Sequence, residues 1–125
     1  MTAQQSSFVS VADGTEIATT AWLDVDGAPR GIVQIAHGLA EHAERYGRFA
    51  EALNAAGLLV FAVDHRGHGR TGEGNLGDFG AAGFDGLIAD VAQYGAAIAA
   101  DHPDTPLVLF GHSMGSFAAQ AVIVD

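Results

Sequence analysis

The sequence predicts an α/β fold that opens with an antiparallel pair of strands and continues as a mostly parallel sheet flanked by helices. Three observations carry this. Two alternating β-branched or aromatic runs meet across Asp13-Gly14-Thr15, a strong short-range hairpin signal. Three continuous apolar runs of strand length follow, at residues 31–36, 58–63 and 107–110, as expected of strands covered on both faces. Between and after them, apolar residues recur at helical spacing, so strands and helices alternate and the sheet should wind in parallel.

Taken in order, Phe8-Val9-Ser10-Val11 and Ile17-Ala18-Thr19-Thr20-Ala21-Trp22 form the opening pair, and residues 24–30, with Gly27 and Pro29, form a loop. Gly31-Ile32-Val33-Gln34-Ile35-Ala36 is apolar on both faces and belongs in the middle of the sheet. Tyr46, Phe49, Ala50, Leu53 and Ala56 share one helical face, and Gly57 stands where a helix stops. The aromatic residues of that face are expected in the core. Leu58-Leu59-Val60-Phe61-Ala62-Val63 is the next central strand. A glycine-rich stretch over residues 72–83 leads to a stripe of Leu87, Val91, Tyr94 and Ile98, closed by His102-Pro103. Leu107-Val108-Leu109-Phe110 reads as a short buried strand, and Phe117, Ala121 and Val124 mark a final helix.

Composition narrows the function classes. The chain has 125 residues, 49% apolar and 16% charged, which suits one globular domain but is short for an α/β enzyme with a cleft. Five basic against fifteen acidic side chains give a net charge of −10, so nucleic acid would be repelled. No cysteine is present, which excludes disulfides and thiol nucleophiles and fits a reducing compartment. The N-terminus lacks a basic segment followed by an apolar one, and a cytoplasmic location is expected.

The chemistry concentrates at Gly111-His112-Ser113-Met114-Gly115, where an apolar strand turns into a helix within a few residues. Such a bend is sharp and strained, and the side chain at its apex, Ser113, stands clear of the sheet. At Gly111 and Gly115 a side chain would collide across the turn. A serine hydroxyl needs a base to become nucleophilic, and the N–H of Met114, at a helix N-terminus, suits a developing oxyanion. A second loop, His37-Gly38-Leu39-Ala40-Glu41-His42, follows a central strand at the sheet end where α/β folds place ligands. Its two histidines have no zinc-like spacing, so no metal is expected. The polar loop Asp64-His65-Arg66-Gly67-His68-Gly69-Arg70-Thr71-Gly72 lacks a nucleotide fingerprint; Asp64 and Arg66 are expected to tie it down by hydrogen bonds and an ion pair.

These three motifs, with the run from Tyr46 through Gly57 to Asp64, resemble the α/β-hydrolase family from about residue 30 onward, and within it the monoacylglycerol lipase and lysophospholipase-like, serine aminopeptidase S33-type branch. The resemblance implies the N-terminal half of an α/β-hydrolase fold over residues 1–125, with Ser113 as nucleophile. It implies an oxyanion hole from the backbone N–H groups of Leu39 and Met114. Gly111, His112 and Gly115 would support the turn, and His37 and Gly38 the oxyanion loop. No cofactor is implied. Three departures stand out: Thr71 where Ser is usual, Leu39-Ala40 where a pair including Gly is frequent, and Ser116 where a second Gly is common.

In this fold the catalytic acid and histidine follow the serine. Only twelve residues follow Ser113, with no histidine and one acid, Asp125. The reading is therefore a serine hydrolase on carboxylic esters, such as monoacylglycerols or related lipid or short-chain esters, completed by a C-terminal remainder on another chain or missing. A surrogate base among His112, His37, His65 and His68 is the lesser case. A thioesterase, lactonase or peptidase on the same turn, and a catalytically silent binding or assembly module, are the alternatives. The strand before Ser113 is expected to leave an apolar edge bare.

Overall fold

The computed structural model describes residues 3–124; the Asp125 named above lies outside them. Nine elements follow in the expected alternation: β1 (Gln4–Val9), β2 (Glu16–Trp22), β3 (Gly31–Ala36), a 3₁₀ turn (Ala43–Tyr46), α1 (Gly47–Ala55), β4 (Leu58–Val63), α2 (Gly83–Asp101), β5 (Leu107–Gly111) and α3 (Met114–Val124). The sheet order is β1-β2-β4-β3-β5. β1 and β2 pair antiparallel, β2 with β4 likewise, while β4, β3 and β5 run parallel. β3 and β4 have the bounds read from their apolar runs, because both are covered on two faces and every residue must be compatible with burial.

Alternate residues of these strands feed opposite layers. Val33, Ile35, Val60 and Ala62 pack with Trp22 and with Ala50 of α1 on one face. Ile32 and Leu59 meet Ile98 and Tyr94 of α2 on the other. Leu87 and Val91 of α2 then pack against Ala118 and Val122 of α3. A polar residue also sits in the centre: buried Gln34 donates from Nε2 to the Val91 carbonyl at 3.0 Å. Gly95 of α2 leaves room for it, since a Cβ there would come within 2.7 Å of Gln34 Oε1.

Four expectations need correction. The opening hairpin has no tight Asp-Gly turn; β1 ends at Val9 and β2 begins at Glu16, and Ser10 and Asp13 of the six-residue connection 10–15 are drawn inward by Arg66. β5 is not a buried strand, because among the described residues it pairs only with β3, leaving Val108 and Phe110 exposed, as the expected bare edge requires. The stripe Phe117 and Val124 of α3 faces outward, for α3 packs through the small residues Gly115, Ala118 and Ala119. Phe49 is also exposed at the surface of α1, its ring 5.3 Å from that of Phe110, where no other described element covers the pair.

Candidate active site

β5 ends at Gly111 and α3 begins at Met114, so His112 and Ser113 make the whole reversal. Ser113 pays in backbone strain: its φ is +56°, a left-handed conformation that disfavours an L-residue by about 1–2 kcal/mol. The neighbouring bonds hold it there. Ser116 N–H donates to the Ser113 carbonyl at 2.9 Å, Gly115 N–H to that of His112 at 2.9 Å, and His112 N–H to Ala36 of β3 at 3.1 Å. The serine side chain is exposed. Gly111 is required as expected, since a Cβ would stand 2.5 Å from the Gly115 carbonyl oxygen across the turn. Gly115 is required for another reason: its Cβ would overlap the Ala36 carbonyl and reach within 2.6 Å of His37 O, so the collision is with the end of β3.

The His37 to His42 loop leaves β3 beside this turn. Gly38 lies so close that a Cβ would come within 3.1 Å of both His112 Nδ1 and His112 O. The loop closes on itself, with Glu41 N–H donating to Gly38 O at 3.2 Å and Gly38 N–H to Glu41 Oε1 at 2.7 Å. Among the described residues, neither the Leu39 nor the Met114 N–H has an internal acceptor. Met114 is the first residue of α3, where the helix leaves its donors unpaired.

Glu41, to which the motif alone assigns no role, is a hub. Its Oε1 also accepts from Tyr46 Oη at 2.7 Å and from His112 Nδ1 at 3.1 Å, and Arg45 Nε lies 3.5 Å from Oε2. Partial desolvation pushes this carboxyl up, but the bonds from Tyr46, Gly38 and His112 outweigh it and bring it down to about 2. Tyr46 is thereby more than a core aromatic. The only sequence signal was the spacing that places an acid three residues after Gly38 and a Tyr five residues further on.

The remaining histidines form a buried cluster beneath the loop. The His37 ring lies 4.1 Å from that of His65 and 5.2 Å from that of His68. His37 Nδ1 donates to Gly38 O at 2.8 Å, and its Nε2 accepts the His65 N–H at 3.0 Å. Both ring nitrogens are thus occupied, which leaves His37 a support for the loop with no lone pair for a metal. His65 Nε2 donates to His37 O and His68 Nδ1 to Arg66 O; these buried rings are braces of the main chain, while His112, turned to solvent, is held by Glu41.

Burial pushes His37 down to about 4, the Gly38 bond only partly offsetting it, and burial with the neighbouring rings brings His65 down to about 3. The unfolded chain binds these protons near pH 6.5, so it holds more of them than the fold does below that pH. Their contribution is complete above pH 6.5 and is lost as the pH falls, by up to about 1.4 kcal/mol per unit for each ring. The melting temperature is expected to fall between pH 6.5 and 5, above the carboxylate range, and His65→Gln to flatten that slope. An unchanged slope in the variant would assign the effect to other groups.

Residues 27–125 match the family model described as serine aminopeptidase, S33. The chain belongs to this family. It is 43% identical over 116 residues to a monoacylglycerol lipase of Mycolicibacterium smegmatis, covering 91% of this chain and 39% of that protein. It is 38% identical over 105 residues to the mouse monoglyceride lipase, covering 83% of this chain and 33% of that one. Among solved structures, a thermostable carboxyl esterase from Bacillus coagulans in complex with glycerol superposes with a TM-score of 0.87 at 37% identity, over 98% of this chain and 40% of that one. The chain therefore spans between a third and two fifths of these relatives, and what it carries is part of an α/β-hydrolase fold.

Two of the departures from the S33 pattern now have physical meaning. Thr71 Oγ1 donates to Asp64 O at 2.6 Å and accepts the Ala18 N–H at 2.8 Å, work that a serine hydroxyl could do equally. Ala40, by contrast, sits at φ +63°, a conformation natural to glycine, so this chain carries strain in the loop that a glycine would relieve.

The polar loop of this S33 chain is anchored as expected, with partners the sequence did not identify. Asp64 accepts the N–H groups of Ala43 and Arg70 at 2.7 and 3.0 Å. Arg66 pairs with Asp90 of α2 and Asp13 of the hairpin connection, each at 2.7 Å. Asp13 is held below the usual carboxylate range chiefly by its bond from Arg66. No described helix is long and apolar enough to cross a membrane.

Proposed function

We propose that this chain carries the nucleophile and the oxyanion hole of a serine hydrolase acting on carboxylic esters, with monoacylglycerols or related lipid or short-chain esters as substrates. The observation that carries the reading is the exposed Ser113 at φ +56° on a strand-to-helix turn, beside two N–H groups, Leu39 and Met114, that lack internal acceptors. In this reading Ser113 Oγ attacks the acyl carbon and the tetrahedral oxyanion is held by those two donors. A histidine takes the serine proton and returns it to the leaving alcohol, after which water releases the acid by the same route.

The histidine and its carboxylate are supplied by a complementary C-terminal portion of the domain. That view is supported by the share of the lipases that this chain spans and by the main-chain duties of His37, His65 and His68. The names of the relatives support a lipid ester as substrate. A cytoplasmic setting is supported by the cysteine-free composition, which fits a reducing compartment.

A fluorophosphonate ester added to the native protein is expected to form a covalent adduct on the peptide containing Ser113, and none on Ser113→Ala. Native and denatured masses taken alongside show whether a second fragment accompanies this chain. Absence of labelling in material that holds the complementary portion would favour a silent binding or assembly module and overturn the reading.

A further inference from the structure

The strongest unassigned feature is the way three separate segments converge on a single carboxylate oxygen. Glu41 Oε1 accepts from Gly38 N–H, in the loop after β3; from Tyr46 Oη, at the entry to α1; and from His112 Nδ1, in the turn after β5. Two of these donors each lie one residue before a proposed reactive group, Gly38 before Leu39 and His112 before Ser113. The main chain of the same residue completes the grip, because Glu41 N–H donates to Gly38 O at 3.2 Å. Gly38 C=O and Leu39 N–H belong to one trans planar peptide and point in opposite directions. That carbonyl is held by the Glu41 N–H and by His37 Nδ1 at 2.8 Å, which turns the Leu39 N–H the other way.

We propose that Glu41 is a positioning residue that clamps the Leu39 peptide against the Ser113 turn, setting the distance between oxyanion donor and nucleophile. The inference rests on the proposed roles of Leu39 and Ser113. Three features argue for a clamp beyond a general contribution to stability. Gly38 is packed without slack, a Cβ there meeting Glu41 Oε1 at 3.0 Å and His112 Nδ1 at 3.1 Å. Ala40 is held at φ +63°, strain that a relaxed loop would shed. A negative charge beside an oxyanion site would oppose catalysis, yet here one oxygen is covered by three donors and the other faces Arg45 at 3.5 Å.

The test compares Glu41→Ala, Glu41→Gln and Tyr46→Phe in the native protein. Two readouts apply: the rate and saturation constants of fluorophosphonate labelling at Ser113, and hydrogen exchange at the Gly38 and Leu39 amides. In Glu41→Ala the limiting labelling rate should fall about 10²-fold, as expected of a displaced donor, with the half-saturating probe concentration unchanged. Glu41→Gln should recover part of the rate, because its amide oxygen can still accept two of the three bonds. Tyr46→Phe should lose least, since Gly38 and His112 remain tied. A merely structural residue would lower the melting temperature and leave the labelling rate of the folded protein intact, and that result overturns the proposal. If the wild type does not label even in material that holds the complementary portion, the hydrolase reading fails, but the clamp is still read by exchange. The Gly38 amide should be protected in the wild type, exposed in Glu41→Ala and intermediate in Glu41→Gln; equal protection in all would refute the clamp by itself.

Discussion

Asp90→Ala is expected to lower folding stability by about 3–5 kcal/mol, the cost of leaving a buried charge without its partner. The Arg66 and Asp90 side chains are each 2% exposed, and they meet through Nε–Oδ2 at 2.7 Å and Nη2–Oδ1 at 3.3 Å. Ser10 Oγ donates to the same Asp90 oxygen and accepts from Arg66 Nη2. Removing the carboxylate strips the guanidinium of its buried counter-charge, leaves the Ser10 hydroxyl without an acceptor, and shifts the whole burden to the more exposed Asp13. Chemical denaturation measures the loss directly. The double variant Arg66→Met with Asp90→Leu should lose far less than Asp90→Ala, since it removes the desolvation cost with the attraction. If the double variant were the less stable of the two, the pair would be worth more than its desolvation and the expectation would be wrong.

Gly115→Ala should be the other severe substitution, costing about 3 kcal/mol or more, although it adds one methyl group. The colliding atoms are the main-chain oxygens of Ala36 and His37, at the end of a central strand bonded on both sides, so no side chain can move aside. Relief requires α3 to shift off β3, which would carry Met114 and Ser113 with it. Loss of stability and loss of fluorophosphonate labelling should therefore come together. Gly47→Ala is the control: among the described residues nothing lies within 4 Å of its Cβ position and its φ is −54°, so it should be tolerated or slightly stabilising. An equal cost at both positions would show that the space at Gly115 is not what matters.

The chain's order of elements, the bounds of β3 and β4 and the strained turn at Ser113 were legible in the sequence alone. Each is a local matter: a run that must tolerate burial on two faces, a stop at Gly57 with φ +89°, or glycines spaced so that a chain can reverse between strand and helix. What the sequence could not reveal was which polar groups meet. Arg66 finds Asp13 and Asp90 at separations of 53 and 24 residues, and Glu41 finds His112 at 71. Those encounters depend on the order β2-β4-β3-β5, which brings the loops after β3, β4 and β5 to one end of the sheet. Exposure at Phe49 and Phe117 was equally hidden, because an apolar residue reads the same whether or not another element covers it. Local sequence thus determined where the backbone turns and where Ser113 stands, whereas the sheet order decided which side chains hold that serine and its loop in place, since hydrogen bonds and ion pairs form only between groups that folding has carried within about 3 Å of each other.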